Sequence, residues 1–167
     1  VAGIDHLWAG WRSNYIEGIH DTDKPEGCVF CRILASDAPN SDTFIIWRND
    51  LVVAILNAYP YNSGHLMVMP TRHLATLEEL TTEESSALWQ AVTKASQALR
   101  VAYAPEGINV GMNIGEAAGA GVPGHLHVHA LPRWHGDSSF VTAIANTKVL
   151  PEPLDRTWKK LSDAWPD

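Results

Sequence analysis

The chain has 167 residues, 46% of them hydrophobic, and a formal net charge of -7 from twelve Lys and Arg against nineteen Asp and Glu. That length supports one core, and 1–167 is read as a single domain. The acidic balance excludes the broad basic footprint of a phosphate-backbone binder, so no nucleic-acid partner is expected; no apolar run approaches the roughly 20 residues that span a bilayer.

Taken in order, residues 1–27 mix Trp8, Trp11, Tyr15 and Ile16 with a polar stretch and read as an extension packed through aromatic anchors. They have neither the basic start nor the continuous apolar core of a signal segment, which points to a cytoplasmic protein without membrane partners. Cys28 and Cys31 follow, the two cysteines of the chain. A disulfide across Val29-Phe30 would constrain little of the unfolded chain, leaving metal binding or redox chemistry as alternatives.

Thr43 to Trp47 and Leu51 to Leu56 are rich in β-branched residues and flank Arg48-Asn49-Asp50, which predicts a hairpin. His65 to Pro70 predicts a third strand after the turn-rich "NAYPYNSG", with His65 a structural or supporting histidine at its start. Thr81-Thr82-Glu83-Glu84 fits a capping box. From there Leu88, Ala91, Val92, Ala95, Leu99 and Ala102 recur at helical spacing until Pro105 and Gly107 end the helix. Ile108 to Asn113, the glycine-rich Ile114 to Gly124 and a histidine-bearing strand complete the core. The tail, 137–167, carries Trp158, Leu161 and Trp165 at helical spacing, suited to core or dimer packing. Short strands joined by hairpins with one long helix between them predict an α+β domain built on an antiparallel sheet.

The chemistry concentrates in "GHLHVHAL", residues 124–131. On a strand, His125, His127 and His129 would share one face with Cα atoms roughly 6.5 to 7 Å apart. Convergence of all three on one zinc is poor on a straight strand. A neutral His127 acting as nucleophile on phosphorus, with its neighbours orienting it or donating to phosphoryl oxygens, is the competing chemistry.

The alternation His-apolar-His-apolar-His-apolar-apolar in His125 to Leu131 resembles the signature of the histidine triad family of nucleotide hydrolases and transferases. Together, "NAYPYNSGHLMVMPTRH" and "HLHVHALPRWHGD" are similar to bacterial members that hydrolyse or phosphorolyse dinucleoside polyphosphates such as Ap4A, with similarity running from about Cys28 to Gly136. The resemblance implies a histidine triad fold, a homodimer, and an adenine nucleotide or dinucleoside polyphosphate as ligand. It implies a nucleotidyl intermediate on His127, a phosphate contact from His129, a ribose contact from Asn57 and a phosphate-side contact from Asn113. Where relatives often carry Gln or Ser before the triad, this chain has Gly119-Ala120-Gly121, whose backbone amides would replace a side-chain contact. Trp134 is a candidate for stacking on adenine or on the partner subunit. A phosphoramidase using the same covalent step, and a non-catalytic nucleotide-binding protein, are the alternative functions.

The zinc-bearing branch of the same superfamily pairs a cysteine couple with two outer histidines. That resemblance implies one structural zinc per subunit on Cys28, Cys31, His73 and His125, with His125 thereby separated from the catalytic pair.

Overall fold

The computed structural model describes residues 27–137, 150 and 152–167. The aromatic anchoring expected of the N-terminal extension, Gly27 apart, lies outside the described residues, as does the stretch 138–149 of the tail. The described elements in chain order are α1 (Val29–Leu34), a short α2 (Asn40–Thr43), β1 (Ile45–Arg48), β2 (Val52–Leu56) and β3 (Leu66–Pro70). They continue with α3 (Thr82–Tyr103), β4 (Gly107–Gly111), β5 (Val128–Arg133) and α4 (Leu154–Asp163). The strands form one antiparallel sheet in the order β1-β2-β3-β5-β4, the antiparallel α+β architecture expected from the sequence.

The β1–β2 hairpin is closed by Asn49, whose Oδ1 accepts hydrogen bonds from the amides of Leu51 at 3.0 Å and Val52 at 2.8 Å. β1 starts later than residue composition suggests. The Pro39 carbonyl accepts from the Asp42 and Thr43 amides, and Phe44 takes φ 58°, so Thr43 closes α2 and the strand begins at Ile45. A β-branched residue has been claimed by the turn before it.

Strand alternation divides the sheet into two faces. Val52, Ala54, Leu56, Leu66, Val68, Val128 and Ala130 pack against α3. Ala91, Ala95 and Ala98 of that helix are at most 1% exposed, small side chains that bring its backbone close to the sheet. Val53, Ile55, Met67 and Met69 line the other face with Phe30 of α1. The start of α3 is the expected capping box: Thr81 Oγ1 accepts from the Glu84 amide, and Glu84 Oε2 accepts from the Thr81 amide. Glu84 also takes a bidentate pair from Arg72, with both bonds at 2.8 Å, and this guanidinium first, then the Thr81 amide, hold its carboxyl down to about 2. The same contacts tether the loop after β3 to the helix start.

The tail helix α4 packs into the core. Leu161 is fully buried, Trp158 donates its indole N–H to the Ile45 carbonyl at 2.8 Å, and Trp165 stacks on Trp47 with ring centroids 5.7 Å apart. Among the described residues, no helix is long and apolar enough to cross a membrane.

Candidate active site and metal centre

The histidine run does not form one straight strand. Before β5 pairs with β3, the His125 amide donates to the Val122 carbonyl and the Leu126 amide to Leu74 at 2.7 Å, so the ladder opens only at Val128. This bend separates the three rings. His125 turns toward the loops after β3 and at α1, while His127 and His129 stay on the sheet face opposite α3.

Around His125 the chain gathers Cys28, Cys31 and His73, whose ligand atoms all lie within 4.8 Å of one another. Cys28 is the N-cap of α1 and Cys31 stands in its first turn, so one turn of helix presents both sulfurs. His125 Nδ1 lies 3.5 Å from Cys28 Sγ and 3.7 Å from Cys31 Sγ, and His73 Nδ1 lies 3.4 Å from Cys31 Sγ. A tetrahedral zinc with ordinary Zn–S and Zn–N bonds requires sulfur–nitrogen edges of about 3.6 Å. His125 Nε2 donates to the Pro70 carbonyl at 2.9 Å, which fixes the tautomer with the Nδ1 lone pair turned toward the sulfurs. Burial pushes the His125 pKa below its ordinary value, so the ring is held in the neutral form that metals bind. Two thiols and two correctly oriented imidazoles therefore fit a closed, four-ligand metal site.

His127 is 4% exposed. Its Nδ1–H donates to the His125 carbonyl at 2.7 Å, which leaves the lone pair on Nε2. The ring stands edge-on to Phe30 at 5.3 Å and to His129 at 4.9 Å, and burial lowers its pKa. The result is a neutral imidazole with one defined nucleophilic nitrogen.

His129 is oriented through His65. The Tyr61 amide donates to His65 Nδ1 at 3.0 Å, so His65 carries its proton on Nε2. That nitrogen lies 2.9 Å from His129 Nδ1, which must accept, placing the His129 proton on Nε2. Burial, followed by the neighbouring His129 and His127, lowers the His65 pKa to about 3, so this relay stays neutral. His127 thus offers a lone pair at Nε2 and His129 a donor at Nε2.

The loop bearing Tyr61 is anchored independently. Asn62 Nδ2 donates to the Pro132 carbonyl at 3.2 Å and to Asp137 Oδ2 at 3.0 Å. Asp137 in turn holds a bidentate Arg133 at 2.6 and 2.8 Å. Sequence reasoning gave His65 a supporting role without a partner and left out Tyr61 and Phe30. The signal for His65 is its strand position: it shares a face with Met67, which pairs with His129, making His65 a diagonal neighbour.

Asn57 braces the same loop, its Nδ2 3.3 Å from His65 Nδ1 and its Oδ1 accepting from the Tyr59 amide at 2.9 Å. Asn113 lies two residues past Gly111, which pairs with His129, and its Nδ2 donates to the Gly119 carbonyl at 3.4 Å. The glycine-rich loop departs from expectation. The Gly119 amide donates to Glu116 and the Ala120 amide to Gly115, because the 3-10 turn Glu116–Ala118 uses them to close itself. Of the three amides expected to face phosphate, Gly121 alone donates to no carbonyl among the described residues. The Trp134 ring stands edge-on to Tyr103 of α3 at 6.1 Å, one residue past β5 and on the helix side. Strand alternation from His129 puts residue 134 on the opposite face, away from the histidines.

The HIT domain family profile matches residues 38–136. Among curated relatives, the AP-4-A phosphorylase of Mycobacterium tuberculosis is 38% identical over 165 residues, which covers 97% of this chain and 85% of that protein. The asymmetrical bis(5'-nucleosyl)-tetraphosphatase of Schizosaccharomyces pombe is 35% identical, with coverage of 57% and 52%. Among solved structures, a Zn-bound histidine triad family protein from Mycobacterium smegmatis superposes with a TM-score of 0.66 at 28% identity, covering 83% of this chain and 92% of that one.

Proposed function

This chain belongs to the HIT domain family, and on that premise we propose that it cleaves adenosine dinucleoside polyphosphates such as Ap4A through a nucleotidyl-His127 intermediate. The observation that carries the reading is the fixed pair of tautomers, with a lone pair on His127 Nε2 beside a proton on His129 Nε2.

The His127 Nε2 lone pair attacks the phosphorus next to one adenosine, forming an N–P bond while the P–O bond to the remaining triphosphate breaks and ATP leaves. His129 donates from Nε2 to the phosphoryl or leaving oxygen. Asn113 and the Gly121 amide are assigned to the phosphate side, and Asn57 to the ribose. Water then releases AMP, or inorganic phosphate releases ADP, and restores His127.

The metal assigned to Cys28, Cys31, His73 and His125 is zinc, one per subunit. It would have four protein ligands and no open position, which suits a structural role. These residues would brace His125, whose carbonyl orients His127, and Phe30, packed on both rings, stands between the two cysteines. A homodimer and a cytoplasmic location belong to the same reading. The edge strand β4, with Val110 45% exposed, supplies an edge for subunit pairing, and reduced thiols suit that compartment.

Incubation with Ap4A, with and without inorganic phosphate, tests the activity. ADP plus ATP identifies phosphorolysis and AMP plus ATP hydrolysis. No cleavage under either condition, by protein that binds the compound, would refute it.

A further inference from the structure

The relay that orients His129 ends on an aromatic ring to which the phosphoryl chemistry gives no task. Tyr61 packs at 4.5 Å centroid distance on His65 and 5.8 Å on His129, tilted 31° to the latter, and is 38% exposed. Across the site the rings follow in the order His127, His129, Tyr61, at separations of 4.9 and 5.8 Å. The phenol is held in that order by its backbone: the Tyr61 amide bonds His65 Nδ1, and the next residue, Asn62, is bonded to Pro132 and Asp137.

We propose that Tyr61 is the stacking platform for the second nucleoside, the one that departs with the leaving polyphosphate, and so makes the site selective for dinucleotides. This inference rests on nucleotidyl transfer at His127. In-line displacement expels the leaving group on the side away from the attacking nitrogen. A polyphosphate passing His129, its donor, then runs toward Tyr61 beyond it. An aromatic face there binds a base by stacking without reading its edges, so the selectivity is for the presence of a second base and not its identity. Stacking of one base on one aromatic ring corresponds to between about 5- and 150-fold in affinity.

The test uses His127→Ala protein, which cannot turn over, and two probes that differ in the second nucleoside: Ap4A and adenosine 5′-tetraphosphate. Affinities are measured by titration calorimetry with Tyr61 intact, with Tyr61→Leu and with Tyr61→Phe. The expected result is that Tyr61→Leu weakens Ap4A by about 5- to 150-fold relative to adenosine tetraphosphate, while Tyr61→Phe keeps the original ratio. A ratio unchanged by Tyr61→Leu, including equal weakening of both compounds, overturns the proposal and leaves nucleotidyl transfer standing. Failure of Ap4A to bind when Tyr61 is intact overturns both.

Discussion

Replacing His65 with Gln isolates the energetic signature of the buried histidine relay. Gln retains an acceptor for the Tyr61 amide and a donor for His129 Nδ1, while removing the titratable ring. His65 is 1% exposed, with its pKa lowered to about 3 from an ordinary value of 6.5. Its folded pKa is depressed, so the stability it contributes is present above the unfolded value and is lost as pH falls from 6.5 toward 3. Between pH 7 and 5 the unfolded chain gains about 0.7 of a proton at this ring and the native chain almost none, a loss of about 2 kcal/mol. Urea unfolding followed by tryptophan fluorescence at both pH values measures that loss. Other groups titrate in both proteins and cancel to first order in the difference. The drop in stability should be smaller in His65→Gln by about 2 kcal/mol, whatever the variant's absolute stability. Equal drops in the two proteins would show that His65 takes up a proton in the native state, and the assigned tautomers would fail.

Other perturbations reach the metal centre and the packing around the site. Cys31→Ser should reduce bound zinc from one per subunit to substoichiometric levels and lower the Tm, read by elemental analysis and calorimetry; full zinc content in the variant would remove Cys31 from the ligand set. Gly64→Ala should destabilise by about 2 kcal/mol or more in urea unfolding, because Gly64 has φ +82° and an added Cβ would lie 2.9 Å from Pro132 Cγ and 3.0 Å from Tyr103 Cε2. Near-native stability there would mean that the His65 loop yields easily. Arg72→Gln should lower stability in urea unfolding by leaving the Glu84 carboxylate without its cation, and should weaken zinc retention through the adjacent His73, measured by competition with a chelator. Unchanged retention would separate the helix cap from the metal site.

Most of the architecture was legible because local chemistry and tertiary packing agree. Asn49 closes the first hairpin, Thr81 and Glu84 begin the long helix, and the apolar stripe from Leu88 to Leu99 meets the sheet. The spacing of Cys28, Cys31, His73 and His125, read through family resemblance, named four residues that the fold gathers within one cluster. What was not legible depends on where backbone hydrogen bonds go. Alternation placed three histidines on one strand, whereas the Leu126 amide bonds Leu74 and delays the ladder to Val128. The resemblance implied phosphate-facing amides at Gly119, Ala120 and Gly121, whereas a 3-10 turn engages the first two. Trp134 stands one residue beyond β5, and its contact with Tyr103 of α3 required the packing of helix on sheet to be known. The His65–His129 contact spans 64 residues of sequence and required the β3–β5 pairing to be known.

The proposed reaction requires His127 Nε2 to become covalently bonded to phosphorus. Rapid quenching of the protein with Ap4A, followed by intact-mass and peptide mass spectrometry under conditions that preserve phosphoramidates, tests it directly. Nucleotidyl transfer to His127 predicts a mass increase of one adenylyl group localised to that residue, formed and consumed at rates compatible with turnover, and absent from His127→Ala. Turnover of Ap4A by a His127→Ala variant, or an adduct located on a different residue, would contradict it.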